Sequence, residues 1–523
     1  WHLVNCIQLV TIRLNSHLRT GLMLSKRASG VLLHPTSLPG PFGAGDFGSD
    51  AYLFVDWLVS AGQTYWQMLP LGDIGAGNSP YMSSSAFAGN ILLIDLAELA
   101  KQGWLTEEDL KPLPEFRPDR VNFAALKPFR QARLRHAANS FFAGTQKGTH
   151  TDYTEFCNSE QEWLDDYALF MALNEHQNGC EWSHWPANLA NRNPLALQRA
   201  AETYAKEVDF WKFCQWCFAR QWSKLKRYGY DRGIHIIGDV PIFVAYQSAD
   251  VWAHQELFEL DENGHPAVVA GVPPDYFSKT GQLWGNPLYR WNAHEKTGYS
   301  WWIARMRHAL KLFDLVRIDH FRGFVSYWEI PADAATAVDG RWVPGPGAKL
   351  FEAFENALGN LPIIAEDLGV ITPDVVALRE KFKLPGMRIL QFAFGEDDSH
   401  YFLPHHYVPN SVAYTGTHDN DTSIGWWNTA TPEEQGFARN YLKANGHEIH
   451  WDMINAIFSS ESNTVIVPMQ DVLGLSSAHR MNYPGQRDGN WEWRFLWEQV
   501  HPAHTLMLAA ISGKHDRRPS RVL

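Results

Sequence analysis

FDLVRID (residues 313–319) is an apolar run that stops on a carboxylate, Asp319, and three other segments repeat the pattern. IHIIGD (234–239) ends on Asp239, LPIIAE (361–366) ends on Glu366, and SVAYTGTHDND (411–421) runs into Asp419. A strand that is apolar throughout is buried on both faces, as in a parallel sheet covered by helices. Ending it on a charge puts that charge where the sheet meets solvent, since deeper burial is costly unless the charge is paired. Four such stops predict a barrel whose strand ends converge on one acidic site.

The segments around these stops fit that reading. SGVLLHPTSLPGPFGAGDFG (29–48) reads as a strand and a Gly/Pro-rich loop, SDAYLFVDWLVSAG (49–62) as a helix, and TYWQMLPLG (64–72) as a second strand. Strand, helix and strand with short links imply a parallel pair. From about 96 to 226 the spacing turns helical, as in EFCNSEQEWLDDYALFMALNEHQ (155–177), which predicts an inserted helical subdomain. A stretch at about 248–300, carrying Gly271, Pro273, Pro274, Gly281, Gly285 and Pro287, reads as a loop region over the barrel mouth. Further strand signals, separated by helix-like pieces, complete the set VLLH, YWQMLP, HIIGDV, LVRID, IIAED, RILQF, VAYTG and VIVPM. The predicted class is α/β: a (β/α)8 TIM barrel over 28–523, with a helical insertion after the second strand and loop-rich insertions over the C-terminal mouth. Residues 1–27 read as an extension outside the fold, either translated sequence ahead of Met23 or an acid-poor transit peptide.

Composition narrows the function. A net charge of −12 with no basic stripe excludes a nucleic-acid footprint. No apolar run reaches the length of a membrane span. A neutral ligand such as a sugar fits better, and 23 Trp supply flat faces that stack on sugar rings or pack the core. Trp182 with Trp185, Trp301 with Trp302, Trp426 with Trp427, and Trp491 with Trp493 stand open to both uses. Five Cys form no disulfide framework, and the Cys214–Cys217 CxxC lies in a helix-like run where packing is the plainer use. A reducing compartment follows.

Arg317 and Asp319 lie two apart in a strand and share one face, so a guanidinium stands beside a carboxylate and holds it charged, as a nucleophile requires. The alternative is a structural ion pair. Glu366 at the rim of an apolar strand is suited to general acid/base work through desolvation. Its alternative is a helix N-terminal role, which Asp367 or Thr372 fills better. THDND gathers His418, Asp419, Asn420 and Asp421; a loop gripping ligand hydroxyls or an Asx-rich turn suits this run better than a metal site. Asp239, just before Val240–Pro241, stands in the same balance. No run resembles a calcium loop, and chemistry run by paired carboxylates needs no cofactor. Tyr81 in NSPYMSSSAFAGN (78–90) and Asn482 in MNYPGQRDGNWEWR (481–494) sit in loops that feed the mouth.

The motifs together closely resemble one enzyme family. HPTSLPGPFGAGDFG (34–48), GNSPYMSSSAFAGN (77–90), GDVPIFVA (238–245), GVPPDYFSKTGQLWGNPLYRW (271–291), VRIDHFRGF (316–324), IAEDLGVIT (364–372), GTHDNDT (416–422), MNYPG (481–485) and GNWEWR (489–494) are similar, in order, to the 4-alpha-glucanotransferases called amylomaltases or disproportionating enzymes. The resemblance spans about 28 to 497. It implies a barrel relative of the alpha-amylases that cleaves an α-1,4-glucan and passes the glucanyl piece to another sugar's 4-hydroxyl. By motif it makes Asp319 the nucleophile and Glu366 the acid/base, with Asp419 holding the distorted sugar and Arg317 and His418 supporting that subsite. Tyr81, Asp239, Asp275, Gln282, Trp284, Asn286 and Asn482 sit in motifs that line the glucan groove. Met82 departs from the family pattern after SPY, and residues 1–22 and the basic tail ISGKHDRRPSRVL (511–523) match no part of it. Two rivals remain at this point: an alpha-amylase-type hydrolase with the same carboxylates, and a silent glucan binder. The expected partners are α-1,4-glucans alone, with no nucleic acid or membrane, for a monomer or weak homo-oligomer. The expected compartment is the cytoplasm, with a plastid as the alternative.

Overall fold

The computed structural model describes residues 25–144, 147–274, 278–395, 399–486 and 488–519. Eight parallel strands close into a barrel: β1 (Ala28–Leu32), β2 (Tyr65–Gln67), β3 (His235–Pro241), β6 (Leu315–Asp319), β9 (Ile363–Ala365), β10 (Gly386–Ile389), β11 (Ser411–Tyr414) and β12 (Thr464–Pro468). Each pairs with the barrel strand next in the chain, and β1 pairs with β12 to shut the ring. These are the eight strands read from the sequence. β1, β2, β9, β11 and β12 are buried at every position, as continuous apolar runs require.

Register decides which charges meet. Asp239 is the cross-strand partner of Arg317, and Pro241 is the partner of Asp319. Paired positions share a face, so Asp239, Arg317 and Asp319 all project into the C-terminal mouth. Gly238, one residue from Asp239 and so on the opposite face of β3, leaves room for the Phe313 ring just ahead of β6, because a Cβ there would lie 2.1 Å from that ring.

Between β2 and β3 the chain runs through helices that include Leu96–Lys101, Phe123–Ala143, Gln161–His176 and Ala205–Tyr230. Cys214 and Cys217 are buried on the last of these, and burial pushes both thiols up, so this CxxC is packing rather than redox chemistry. Most of the paired Trp pack the interior too: Trp182, Trp185, Trp301, Trp302, Trp427, Trp491 and Trp493 are buried.

The stretch read as loops over the mouth is more ordered than its Gly/Pro content suggests. β4 (Val268–Val272) and β5 (Gln282–Pro287) join β7 (Ser326–Pro331) and β8 (Arg341–Pro344) in an antiparallel sheet of order β5-β4-β7-β8. β7 and β8 also lie where helix-like pieces are expected between β6 and β9. The strands are short and carry Gly271, Gly285 and Pro287, with a register irregularity between Val269 and Gly271, so no clean alternation marks them. Tyr327 of β7 packs on Phe243 beyond β3, which seats the sheet on the barrel rim.

Both flanks contribute to the fold. Arg27, assigned above to the extension, donates to the carbonyls of Phe458, Ser460 and His515. From the basic tail, buried Arg517 donates to Phe458, Ser460 and Asn463.

Candidate active site

At the mouth, Arg317 holds two carboxylates. Its Nη1 donates to both oxygens of Asp239, at 2.8 and 2.7 Å, and its Nη2 reaches Asp319 Oδ1 at 2.8 Å. Burial alone would pull this guanidinium's pKa down, and the charges of Asp239 and Asp319 more than reverse that. Burial pushes Asp239 up, and Arg317 draws it back. Asp239 and Arg317 are shut away, whereas the Asp319 side chain keeps 29% of its surface exposed.

Glu366 sits just past β9 in a different setting. His320 N–H donates to Oε2 at 2.7 Å, and Leu368 N–H donates to Oε1 at 2.8 Å. His320 adopts φ 53°, a left-handed turn straight after Asp319. That turn aims the backbone N–H at Glu366, a local cost typical of working sites. Burial, and then the charge of Asp319, push Glu366 up to about 8, with Arg317 and the two N–H groups pulling the other way. Glu366 is therefore a protonated carboxyl at neutral pH, a state suited to giving up a proton in acid/base chemistry.

Neighbouring Asp367 is no helix cap: it accepts from Met387 N–H and pairs with Arg379 at 3.2 Å. Thr372 occupies the N-cap position of helix Pro373–Lys381, but its side chain turns to Asp374 instead of the free N–H groups.

The turn after β11 completes the site. Tyr81 donates its hydroxyl proton to Asp239 at 2.9 Å and lies 3.0 Å from His418 Nε2. With that single proton directed at Asp239, His418 Nε2 is the donor to Tyr81. The same nitrogen lies 3.3 Å from Asp419 Oδ2. Asn482 donates to Asp419 Oδ1 at 2.6 Å, and Arg480 holds the Asp419 carbonyl at 2.9 Å. Tyr81 stacks on His418, and Trp491 lies against both rings. Thr422 then caps helix Ser423–Thr429 by accepting from Gly425 N–H, which fixes where the turn ends.

From the antiparallel sheet, Trp284 sets its ring edge-on to His320 at 4.9 Å and donates its indole N–H to Gln282. Asn286 faces elsewhere: its buried amide donates to the Val244 carbonyl at 2.9 Å and contacts Met82 Sδ, tying β5 to the segment after β3. Asp275 lies outside the described residues. Sequence reasoning missed His320 and Arg480, and it left Trp491 open between packing and the mouth. The first acts mainly through its backbone, which no residue type announces. Among the described residues, no group of three or more His, Cys, Asp or Glu is placed to hold a metal.

A family model described as 4-alpha-glucanotransferase matches residues 33–499. The chain belongs to the 4-alpha-glucanotransferase family. It is 51% identical over 499 residues to a 4-alpha-glucanotransferase of Thermus thermophilus, covering 94% of this chain and 99% of that one. It is 47% identical to a chloroplastic/amyloplastic 4-alpha-glucanotransferase of Arabidopsis thaliana, over 90% of this chain and 82% of the relative. Among solved structures, the amylomaltase from Streptococcus agalactiae in complex with acarbose superposes with a TM-score of 0.92 at 40% identity, covering 94% of this chain and all of that one. The family's activity, transfer within 4-alpha-glucans, is the activity of this chain.

Proposed function

We propose that this 4-alpha-glucanotransferase works by retaining double displacement, with Asp319 as nucleophile and Glu366 as acid/base. The observation that carries this reading is Glu366, buried and raised to about 8, beside an Asp319 bound to Arg317. An Asp319 oxygen attacks the anomeric carbon of an α-1,4-glucan as the bond to the leaving 4-oxygen breaks. Glu366 gives its proton to that oxygen, and a β-linked glucanyl ester of Asp319 remains. Esterification removes the Asp319 charge that had raised Glu366, so the Glu366 carboxylate is easier to keep. It then takes the proton of an incoming sugar's 4-hydroxyl, whose oxygen attacks the anomeric carbon and releases Asp319. Both carboxyl groups return to their starting states.

Asp419, gripped by Asn482 and Arg480, would hold two hydroxyls of the distorted sugar, and His418 and Tyr81 would hold others. Gln282 and Trp284 would screen the ester from water and favour transfer over hydrolysis, and Asp275 is proposed to bind glucan from its motif alone. The partners we infer are maltooligosaccharides and longer α-1,4-glucans, for a monomer or weak homo-oligomer. The compartment is the cytoplasm, or a plastid as in the named Arabidopsis thaliana relative. Among the described residues no helix is long and apolar enough to cross a membrane.

The test is incubation with maltotriose alone. Glucose together with maltopentaose and longer chains is the expected outcome. Glucose and maltose with nothing longer would make water the acceptor and overturn the transfer reading.

A further inference from the structure

The stretch that follows Glu366 is thinly held. Asp367 is fixed by Met387 and Arg379, and helix Pro373–Lys381 begins after Thr372. Between them, residues 368–371 make two hydrogen bonds to protein among the described residues. One runs from the Leu368 N–H to Glu366 Oε1, and the other from Arg322 Nη1 to the Val370 carbonyl at 2.5 Å. Leu368 and Ile371 are only partly buried against the core, Gly369 takes φ 81°, and Val370 is 56% exposed. Apart from Glu366 itself, Arg322 is thus the hydrogen-bonding anchor of this stretch.

Arg322 is held on three sides. It lies in the short 3-10 turn Phe321–Phe324, directly after Asp319 and His320. It is 5% exposed, its Nη2 donates to Ser326 Oγ at 3.0 Å, and its guanidinium carbon lies 3.8 Å from the centre of the Trp342 ring. Trp342 belongs to β8, the edge strand of the antiparallel sheet, and its cross-strand partner Trp328 meets it edge-on at 5.2 Å. A cation over an indole face is attracted by the ring, and more strongly when water is excluded. Burial still pulls the Arg322 pKa down, and Asp374 offsets this only in part, so the guanidinium depends on the carbonyl and the ring. A continuous line of contacts therefore runs from β8 through Arg322 and Val370 to the N–H on Glu366.

We infer that Arg322 is a positioning residue for Glu366: it fixes residues 368–371 through the Val370 carbonyl, and Trp342 holds it in that pose. This rests on the acid/base role proposed above for Glu366. The chain just after Asp319 then governs both bonds to the Glu366 carboxyl, one directly through His320 N–H and the other through Arg322. The antiparallel sheet acts on the same carboxyl through its edge strand.

Kinetics with maltotriose across pH test this. Arg322→Met keeps an apolar stem and removes the anchor; kcat is expected to fall about tenfold or more, with KM within about threefold. Trp342→Ala changes no charge, and Asp319 and Arg317, the charged groups that act on Glu366, stay in place. Its kcat should fall about two- to fivefold. The Leu368 N–H holds the Glu366 pKa down, so loosening it should move the basic limb of kcat/KM upward, by about half a pH unit. Trp342→Phe keeps an aromatic face and should restore both kcat and the limb. Wild-type kcat in Arg322→Met, an unmoved limb in Trp342→Ala, or a Trp342→Phe as impaired as Trp342→Ala would sink the idea. Should Arg322→Met not fold, the Trp342 pair decides, because that ring is 40% exposed on an edge strand. A crystal structure of either impaired variant separates this inference from the reading beneath it. Residues 368–371 displaced, with the Leu368 bond to Glu366 lost, is the expected result, and an unmoved stretch overturns the positioning role. A Glu366→Gln enzyme with wild-type transfer would instead overturn the acid/base role, and leave the anchor to stand on the crystal result.

Discussion

Arg130 and Arg317 are both buried arginines paired with aspartates, and they do opposite things. Arg130, on helix Phe123–Ala143, donates to Asp46 at 2.7 Å and to the carbonyls of Ile94, Phe42 and Ala44. Asp46 takes its other bond from Gly48 N–H. Burial pushes Asp46 up and Arg130 pulls it back, and its side chain is 9% exposed, so the pair faces only protein. Arg317 binds Asp239 just as tightly, but its second nitrogen holds an aspartate that is 29% exposed to the cleft. A buried ion pair closed in by protein on every side can only be structural, whereas one that leaves a carboxylate facing open space can take the chemical role proposed above for Asp319.

Substitutions can break that contrast. The largest effect is expected from Asp319→Asn, which keeps the shape and removes the carboxylate proposed above as the nucleophile. Transfer should fall by about 10⁴-fold or more, with the melting curve little changed. An Asp319→Asn protein retaining a tenth of its rate would place the nucleophile elsewhere. Glu366→Gln is expected to cost about 10²–10⁴-fold in kcat and yet to stabilise the fold. The sign follows from linkage: Glu366 rises from an ordinary 4.5 to about 8 on folding, so the folded state binds more protons between those values. Stability from this group is thus lost as pH climbs through that window, and Gln removes the loss. Calorimetry at pH 7 should show a melting temperature about 2–5 °C higher than wild type.

At the closed pair, Arg130→Met leaves Asp46 buried without its cation. The expected cost is about 3–5 kcal/mol of stability, measured by denaturant unfolding, with kcat per folded molecule within about twofold of wild type. A large fall in kcat at constant stability would erase the distinction between the two pairs. Tyr81→Phe removes one bond to Asp239 and is expected to slow transfer about 10–100-fold. The mildest perturbation is pH itself. kcat/KM should decline reversibly above about pH 8 as Glu366 gives up its proton, and a basic limb that persists unshifted in Glu366→Gln would assign it to another group.

The barrel was legible because its strands are buried on both faces and stop on charges, two signals written directly in residue type. The same logic placed Asp239, Arg317, Asp319 and Glu366 at one rim before any register was known. The antiparallel sheet was less legible because β5 and β8 are half-exposed and short, and β4 and β5 carry glycines that also mark loops. Asn286 sits in a groove motif yet directs its amide into the scaffold, which only the tertiary path of β5 determines.

Ring closure through β1 and β12 also has a consequence for how the chain is made. Ala28 finds its partner only when Thr464 has been synthesised. At about 5–20 residues per second, β1 stands with one unpaired edge for roughly 20–90 s after it leaves the ribosome. Through that interval an apolar strand offers its free N–H and C=O groups to any other nascent chain. The last barrel strand, with Arg27 and Arg517 converging on the Phe458–Asn463 segment just before it, withdraws that edge. Slow translation or truncation before residue 464 should therefore show as aggregation of young chains before it shows as lost activity.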